Sequence, residues 1–188
     1  MLDKYACLKK LAARRGTRDA VVTTMSVSMP WAEITDTPLD FASVDSAMGH
    51  GADFAYGIAL AQPERRVLCL NGDGSTLMCL GTLVTITGRP APNFTLIITE
   101  NGTYEVTGNQ PVPGAGSVDF EGLARAASVQ EVYTIETEAD FDAKLDLHFT
   151  APGPAVFIWR IERADEPVPK PSAPIRQRAH DLRDALVG

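Results

Sequence analysis

Asn71-Gly72-Asp73-Gly74-Ser75, followed by Glu100-Asn101-Gly102-Thr103-Tyr104, is the pair of stretches that decides the fold. An apolar run, Val67-Leu68-Cys69-Leu70, leads into the first, and Phe94-Thr95-Leu96-Ile97-Ile98 leads into the second. Short apolar runs that end in turn residues read as buried strands of a parallel sheet. Two such strands deliver Asp73 and Asn101 to neighbouring strand ends. Between them, Thr76 to Thr87 is expected as one helix, with Ser75 as its N-cap and Gly88 and Pro90 stopping it. The unit gathers a carboxylate, an amide oxygen and a helix N-terminus around one point. Hard cations such as Mg²⁺ take oxygen ligands and keep phosphates as partners. Glycine amides at a helix N-terminus bind anions. The unit therefore reads as a Mg²⁺–diphosphate site.

The pattern continues outward in both directions. Residues 3 to 14 carry Tyr5, Leu8, Leu11 and Ala12 at helical spacing, and Gly16 ends that helix. Ala20 to Thr24 is expected as a short buried strand, Ser26 to Ile34 as a loop passing into a short helix, and Leu39 to Val44 as a second strand. Gly49 to Ala61 is small and apolar, which suits a closely packed helix. Asn109 to Ser117 is rich in Pro and Gly and reads as a mobile loop. Helix, strand, helix and strand follow at Phe120 to Ala127, Val129 to Glu136, Ala139 to Phe149 and Ala155 to Ile161. This alternation predicts an α/β fold of three layers, a doubly wound, mainly parallel sheet with helices on both faces. Residues 1–161 are expected as one domain, and 162–188 as a Pro-rich arm with a terminal helix.

Composition excludes several classes. The chain has 188 residues and a net charge of −7, which argues against non-specific nucleic-acid binding. No apolar run approaches the length of a membrane span, and the first residues lack a signal-peptide pattern. Cys7, Cys69 and Cys79 have no metal-ligand spacing, and Cys69 and Cys79 fall among apolar neighbours. They are expected as reduced core cysteines of a cytoplasmic protein. A dinucleotide fingerprint is poorly supported: after Gly49-His50-Gly51 the third glycine position is Phe54, and after Gly72-Asp73-Gly74 it is Leu77.

The Gly72-Asp73-Gly74-Ser75 and Asn101-Gly102-Thr103-Tyr104 stretches resemble the signature of thiamine diphosphate (ThDP) enzymes, and their separation, 101 − 72 = 29 positions, matches it. Asp45-Ser46-Ala47-Met48-Gly49-His50-Gly51, Leu80-Gly81-Thr82-Leu83 and the run 101–110 extend the likeness. They are similar to the small subunit of sulfopyruvate decarboxylases and the C-terminal domain of phosphonopyruvate decarboxylases. The likeness covers about residues 1 to 160 and corresponds to the diphosphate-binding (PP) domain of those ThDP-dependent 2-oxoacid decarboxylases. It departs at Glu100, where the family usually has Asn or Asp.

The resemblance implies ThDP and Mg²⁺ as cofactors, with the metal on Asp73, the Asn101 side chain and the Thr103 backbone carbonyl. Gly72, Gly74, Ser75, Gly102 and Tyr104 are implied as cofactor contacts. Met48 is implied as the bulky apolar residue under the cofactor's bend, and the backbone carbonyl of Ser46 as the acceptor for its amino group. Ser26 and Ser28 lie in the loop after the first strand, where the fold usually supplies a further phosphate contact, and Ser28 is expected to make it. His50, next to Met48-Gly49, is a candidate catalytic group that holds a substrate anion or moves a proton. The activating Glu of the family lies on a separate pyrimidine-binding (PYR) domain of roughly 150 to 180 further residues. The expected reading is a PP subunit of a hetero-oligomer whose PYR-domain (alpha) partner supplies that Glu, with a small 2-oxoacid as substrate and neither nucleic acid nor membrane as partner. Acyloin or acetolactate-type carboligation, and a non-catalytic regulatory domain keeping the fold, stand as alternatives.

Overall fold

The computed structural model describes residues 1–44, 48–164 and 174–187. The chain opens with α1 (Lys4–Arg14), β1 (Ala20–Thr24), α2 (Ser28–Ile34), β2 (Asp40–Ser43) and α3 (Gly51–Ala61). It continues through β3 (Val67–Gly72), α4 (Asp73–Met78), α5 (Thr82–Gly88), β4 (Phe94–Glu100), β5 (Thr103–Tyr104) and β6 (Gln110–Pro111). It ends with α6 (Phe120–Ala126), β7 (Glu131–Ile135), α7 (Glu138–Lys144), α8 (Leu147–Thr150), β8 (Ala155–Arg160) and α9 (Ile175–Val187).

Among the described residues, six strands form one sheet in the order β2-β1-β3-β4-β8-β7, and every pairing is parallel. The central strands are apolar along nearly their whole length because both faces are covered. Side chains alternate between the two faces. Val22, Cys69, Leu96, Ile98 and Ile158 pack with α3, α5 and α6, together with Leu182 of α9. Val21, Leu68, Leu70, Ile97, Phe157 and Trp159 pack with α1, Trp31 of α2 and Phe141 of α7. This is the three-layer, doubly wound architecture expected from the alternation of elements. On the far edge, Arg178 of α9 donates to the carbonyls of Ala42 and Val44 at 3.1 and 2.9 Å.

Four local expectations are corrected. The single helix over 76–87 is two helices, broken at Cys79, whose φ of −130° and ψ of 50° leave the helical region. Short-range turns, Thr82 N–H to the Cys79 carbonyl and Leu83 N–H to the Leu80 carbonyl, bridge the break. The first of these helices starts at Asp73 with Gly72 as N-cap, so Ser75 is inside the first turn rather than capping it. The helix expected over 139–149 is likewise split into α7 and α8. Finally, the Pro- and Gly-rich stretch after Asn109 contributes β6, which pairs antiparallel with β5, while Val112 is buried and its N–H donates to the Gly102 carbonyl at 3.0 Å.

Candidate functional site

The sheet order reverses between β1 and β3: the chain leaves β1 toward β2 on one side and β3 toward β4 on the other. Open α/β sheets bind ligands outside the carboxyl ends of strands at such a switch point. A cavity of about 230 Å³ opens there. Its wall comes from the ends of β1 (Met25, Ser26), β3 (Gly72 to Ser75) and β4 with its following turn (Asn101, Thr103 to Thr107), and from Met48, Gly49 and Met78.

Side-chain hydrogen bonds lock these strand ends together. Asn71 is buried; its Oδ1 accepts from the Thr24 hydroxyl at 3.0 Å and its Nδ2 donates to the Thr76 hydroxyl at 2.9 Å. The Thr99 hydroxyl donates to the Asn71 carbonyl at 3.0 Å. One buried asparagine, through its side-chain amide and its backbone carbonyl, thus ties β1, β3, β4 and α4 together, and satisfied buried networks of this kind rigidify a site. α3 comes down directly on β1, because a Cβ at Gly51 would lie 2.2 Å from Thr24 Cγ2.

Asp73 lies on the cavity floor and is only 2% exposed. Its Oδ1 accepts from Gly74 N–H at 2.7 Å, and its Oδ2 accepts from Asn101 N–H at 3.1 Å and Gly102 N–H at 2.7 Å. Gly102 has φ +76°, the left-handed conformation that this tight turn around the carboxylate needs. The carboxylate joins the end of β3 to the turn after β4, the two stretches with which the sequence opened. A carboxylate offers about four acceptor positions, and three are taken among the described residues. Burial pushes the Asp73 carboxyl above its ordinary value, the three amide hydrogen bonds oppose that shift, and the charge of Glu105 adds to it. A carboxylate held at such a cost is relieved by a nearby cation. Asn101 Oδ1 accepts from Thr103 N–H at 2.9 Å and keeps a second lone pair.

Ser75 supplies the other half of the fit to a metal–diphosphate group. Its hydroxyl is buried in the cavity wall and, among the described residues, has no hydrogen-bond partner. A buried polar atom left without a partner calls for a ligand or an ion. Opposite it, the Tyr104 ring closes onto Gly74: a Cβ there would sit 2.3 Å from Tyr104 Cε1. Glu105 also lines the cavity but is neutralised, pairing at 2.8 Å with buried Lys4 and accepting from Ala164 N–H at 2.7 Å. Those partners hold its carboxyl below the usual range despite its burial. α4 has six residues, so an anion here would be held by local groups such as the Ser75 hydroxyl rather than by a long helix's dipole.

The expected site residues fall into three groups. Gly72, Asp73, Gly74, Ser75, Asn101, Thr103, Tyr104 and Met48 all line the cavity, and Gly102 binds Asp73. Ser46 lies outside the described residues. Ser28 and His50 are not brought to the cavity. Ser28 is buried at the start of α2, where its hydroxyl accepts from Thr23 at 3.0 Å, and it faces a separate hollow beside α2 and β2. Ser26, on the 3-10 turn just before it, reaches the cavity instead. His50 is exposed outside the lining, with its Nδ1 at 2.7 Å from Asp53 Oδ2. That placement gives no support to a role beside a reacting carbon. Cys79, expected in the core, is only partly buried and sits next to His50. Met25 and Met78 line the cavity without any signal in the sequence; Met25 does so from a left-handed conformation, φ +45°, that pattern reading does not foresee for a non-glycine residue.

Residues 24–158 match the family described as thiamine pyrophosphate enzyme, C-terminal TPP-binding domain. The chain is 32% identical to a phosphonopyruvate decarboxylase of Streptomyces hygroscopicus over 154 residues, 81% of this chain and 38% of that protein. It is 30% identical to the sulfopyruvate decarboxylase subunit beta of Methanocaldococcus jannaschii over 132 residues, 70% of this chain and 69% of that protein. The fold superposes on a thiamine diphosphate-dependent 4-hydroxybenzoylformate decarboxylase of Rhodococcus jostii RHA1 with a TM-score of 0.73 and 25% identity, covering 88% of this chain and 33% of that one. The chain thus spans well under half of the Streptomyces and Rhodococcus proteins.

Proposed function

Because the chain belongs to the family of thiamine pyrophosphate enzymes through their C-terminal TPP-binding domain, we propose that it is the PP subunit of a two-chain, Mg²⁺- and ThDP-dependent decarboxylase. The substrate is a short 2-oxoacid with a second anionic group, of the sulfopyruvate or phosphonopyruvate kind, and the products are an aldehyde and CO₂. The observation that carries this reading is the cradle itself. A buried carboxylate with three amide donors, an amide oxygen and a serine hydroxyl without a partner among the described residues meet in one cavity at the strand ends. Mg²⁺ would be held by Asp73, the Asn101 side-chain oxygen and the Thr103 carbonyl. The Ser75 hydroxyl would bind the diphosphate, beside the backbone of Gly74, whose own N–H is held by Asp73. Tyr104 covers that end, and Gly72, Gly74 and Gly102 let the backbone approach closely.

Met25, Met48 and Met78 form an adaptable apolar wall suited to an aromatic ring system, with Met48 as the support under the cofactor's bend. What the bound cofactor supplies is an electron sink for the pair left behind when CO₂ departs. The substrate class is supported by the two relatives above, one named for phosphonopyruvate and one for sulfopyruvate. A PYR-type partner chain supplying the activating Glu is supported by the word subunit in the second name and by the open rim on which Met48 stands 60% exposed. Among the described residues no helix is long and apolar enough to cross a membrane, which accords with a cytoplasmic enzyme. Residues 1–161 are then the PP domain, and the C-terminal helix is an appendage closing the β2 edge.

The test measures CO₂ release from sulfopyruvate and from phosphonopyruvate with ThDP and Mg²⁺ present. The chain is assayed alone and with a PYR-type chain encoded beside it. Turnover only in the mixture is expected. Robust turnover by the chain alone would overturn the two-chain reading, and an active mixture that rejects both acids would overturn the substrate class.

A further inference from the structure

We propose that His50, Asp53 and Cys79 form a zinc site at the rim of the cavity, separate from the Asp73 cradle. His50 caps the start of α3, and Asp53 lies in its first turn. Cys79 occupies the break between α4 and α5. Cys79 Sγ lies 3.5 Å from His50 Nε2 and 3.6 Å from Nδ1. One donor atom from each of the three residues falls within 4.8 Å of the other two. Four-coordinate zinc has bonds of about 2.0 Å to nitrogen and 2.3 Å to sulfur, which puts neighbouring ligand atoms roughly 3.5 Å apart. The Sγ–Nε2 separation already matches that spacing, and the ion is taken when the imidazole turns one nitrogen toward it and Asp53 Oδ2 exchanges its 2.7 Å contact with Nδ1 for the metal.

The donor chemistry selects the metal. A thiolate, an imidazole and a carboxylate suit Zn²⁺, whereas Mg²⁺ and Ca²⁺ demand oxygen ligands. Three protein ligands leave the fourth position to water. An outer shell is already in place, since the Thr82 hydroxyl donates to Asp53 Oδ1 and leaves Oδ2 toward His50. Such supporting hydrogen bonds orient metal ligands and are worth 10- to 100-fold in affinity, on the order of what second-shell partners contribute elsewhere. Gly49 makes room for the cluster: with φ +86°, it would place a Cβ 2.9 Å from Cys79 Sγ. His50 is exposed, so the ion has an entry path. On binding, the Cys79 S–H bond breaks, a Zn–S bond forms, and the proton passes to water with no change in oxidation state. The ion would clip the start of α3 to the α4–α5 break, beside Met48 and Met78 of the cavity wall.

Co²⁺ is the probe, because a tetrahedral cobalt–thiolate site has visible bands and a sulfur-to-cobalt charge-transfer band. Titration of the whole chain with Co²⁺ should develop both, saturating at one ion per chain, and Zn²⁺ should bleach them. Cys79→Ser should abolish the charge-transfer band, and His50→Ala should weaken binding at least about tenfold, as should Thr82→Val. Asp73→Ala should leave the bands in place, so that failure here and failure of the cofactor reading are told apart. Cys7 and Cys69 are buried and should not contribute. Absence of the bands in the wild-type chain would overturn the proposal, as would bands that survive Cys79→Ser.

Discussion

The floor and the rim of the cavity are built on opposite plans. On the floor, Asp73 is 2% exposed and its oxygens are held by three backbone amides from two strand ends. On the rim, Met48 is 60% exposed and Met78 46%. The floor is made by the sheet's own backbone, so its geometry exists before anything binds. The rim offers apolar side chains to solvent, and apolar surface around a cavity mouth is where a second surface gains most by docking. On the proposed reading the contrast divides the labour: the preorganised floor would anchor the charged tail of the cofactor, and the open apolar end would take a wall from a partner chain.

The sharpest way to break that contrast is Asp73→Ala. It removes the only carboxylate that this reading assigns to the metal and leaves three amide N–H groups without their acceptor. Mg²⁺-dependent ThDP affinity should fall by at least about a thousandfold, or ~4 kcal/mol, while far-UV circular dichroism is retained. Calorimetric titration in the assembled enzyme measures it. Undiminished affinity would mean that the floor is not a metal site.

Acid should weaken the molecule from a different place. His148 is fully buried and stacked at 3.9 Å on Phe157. Its Nε2 accepts from Trp159 Nε1 at 3.0 Å, so the proton sits on Nδ1, facing the Lys144 and Leu145 carbonyls at 3.1 Å. Burial pushes this histidine down to about 4 from an ordinary 6.5. Between those values the unfolded chain binds a proton that the folded chain refuses. Stability is therefore complete above pH 6.5 and is lost as pH falls from there through 4, by about 3 kcal/mol in all. Asp73 shifts the other way: its raised value means that protonation relieves the folded state. Urea midpoints across this window should fall with acid in the wild type and in Asp73→Ala alike, and flatten in His148→Gln. A flat profile in Asp73→Ala instead would place the acid sensitivity on the floor.

The floor was legible in the sequence, and of the rim only Met48 was, through the likeness to ThDP enzymes. Gly-Asp-Gly-Ser after one apolar run and Asn-Gly-Thr-Tyr after another name their strands, their turns and their oxygens at once. Parallel pairing of β3 with β4 then forces Asp73 and Asn101 together. What escaped depends on geometry without a local code. Apolar periodicity runs through Cys79, so the α4–α5 break is invisible, and with it the approach of Cys79 to His50. Ser26 and Ser28 are chemically alike. Only the 3-10 turn after β1 decides that Ser26 meets the cavity while Ser28 binds Thr23 behind it.

A smaller effect probes how tightly the floor is closed. Gly74→Ala drives a methyl group into the Tyr104 ring, and overpacking of this kind costs about 1–3 kcal/mol. Tyr104→Ala in the same chain should restore most of that loss, giving a coupling that a double-mutant cycle reads directly. Additive losses would show that the ring moves aside freely and does not cover the diphosphate end.

The smallest effect on stability belongs to the rim, and there the contrast becomes a test of function. Met48→Ala changes a side chain that is mostly in solvent, so chemical denaturation should shift by no more than about 0.5 kcal/mol. On the proposed reading diphosphate anchoring lies on the floor, at Asp73, Ser75 and Asn101, and should be nearly unaffected. Support of the cofactor's rings is a matter of position during reaction, so turnover in the assembled enzyme should fall about tenfold, a barrier change of ~1.4 kcal/mol. The signature is a split: turnover lost, cofactor affinity kept, stability kept. Met48→Leu, which restores an apolar side chain of similar volume, should recover most of the rate. Wild-type turnover in Met48→Ala would make the rim a bystander. A parallel loss of affinity would instead mean that floor and rim bind the cofactor as one unit, and the division between them would fail.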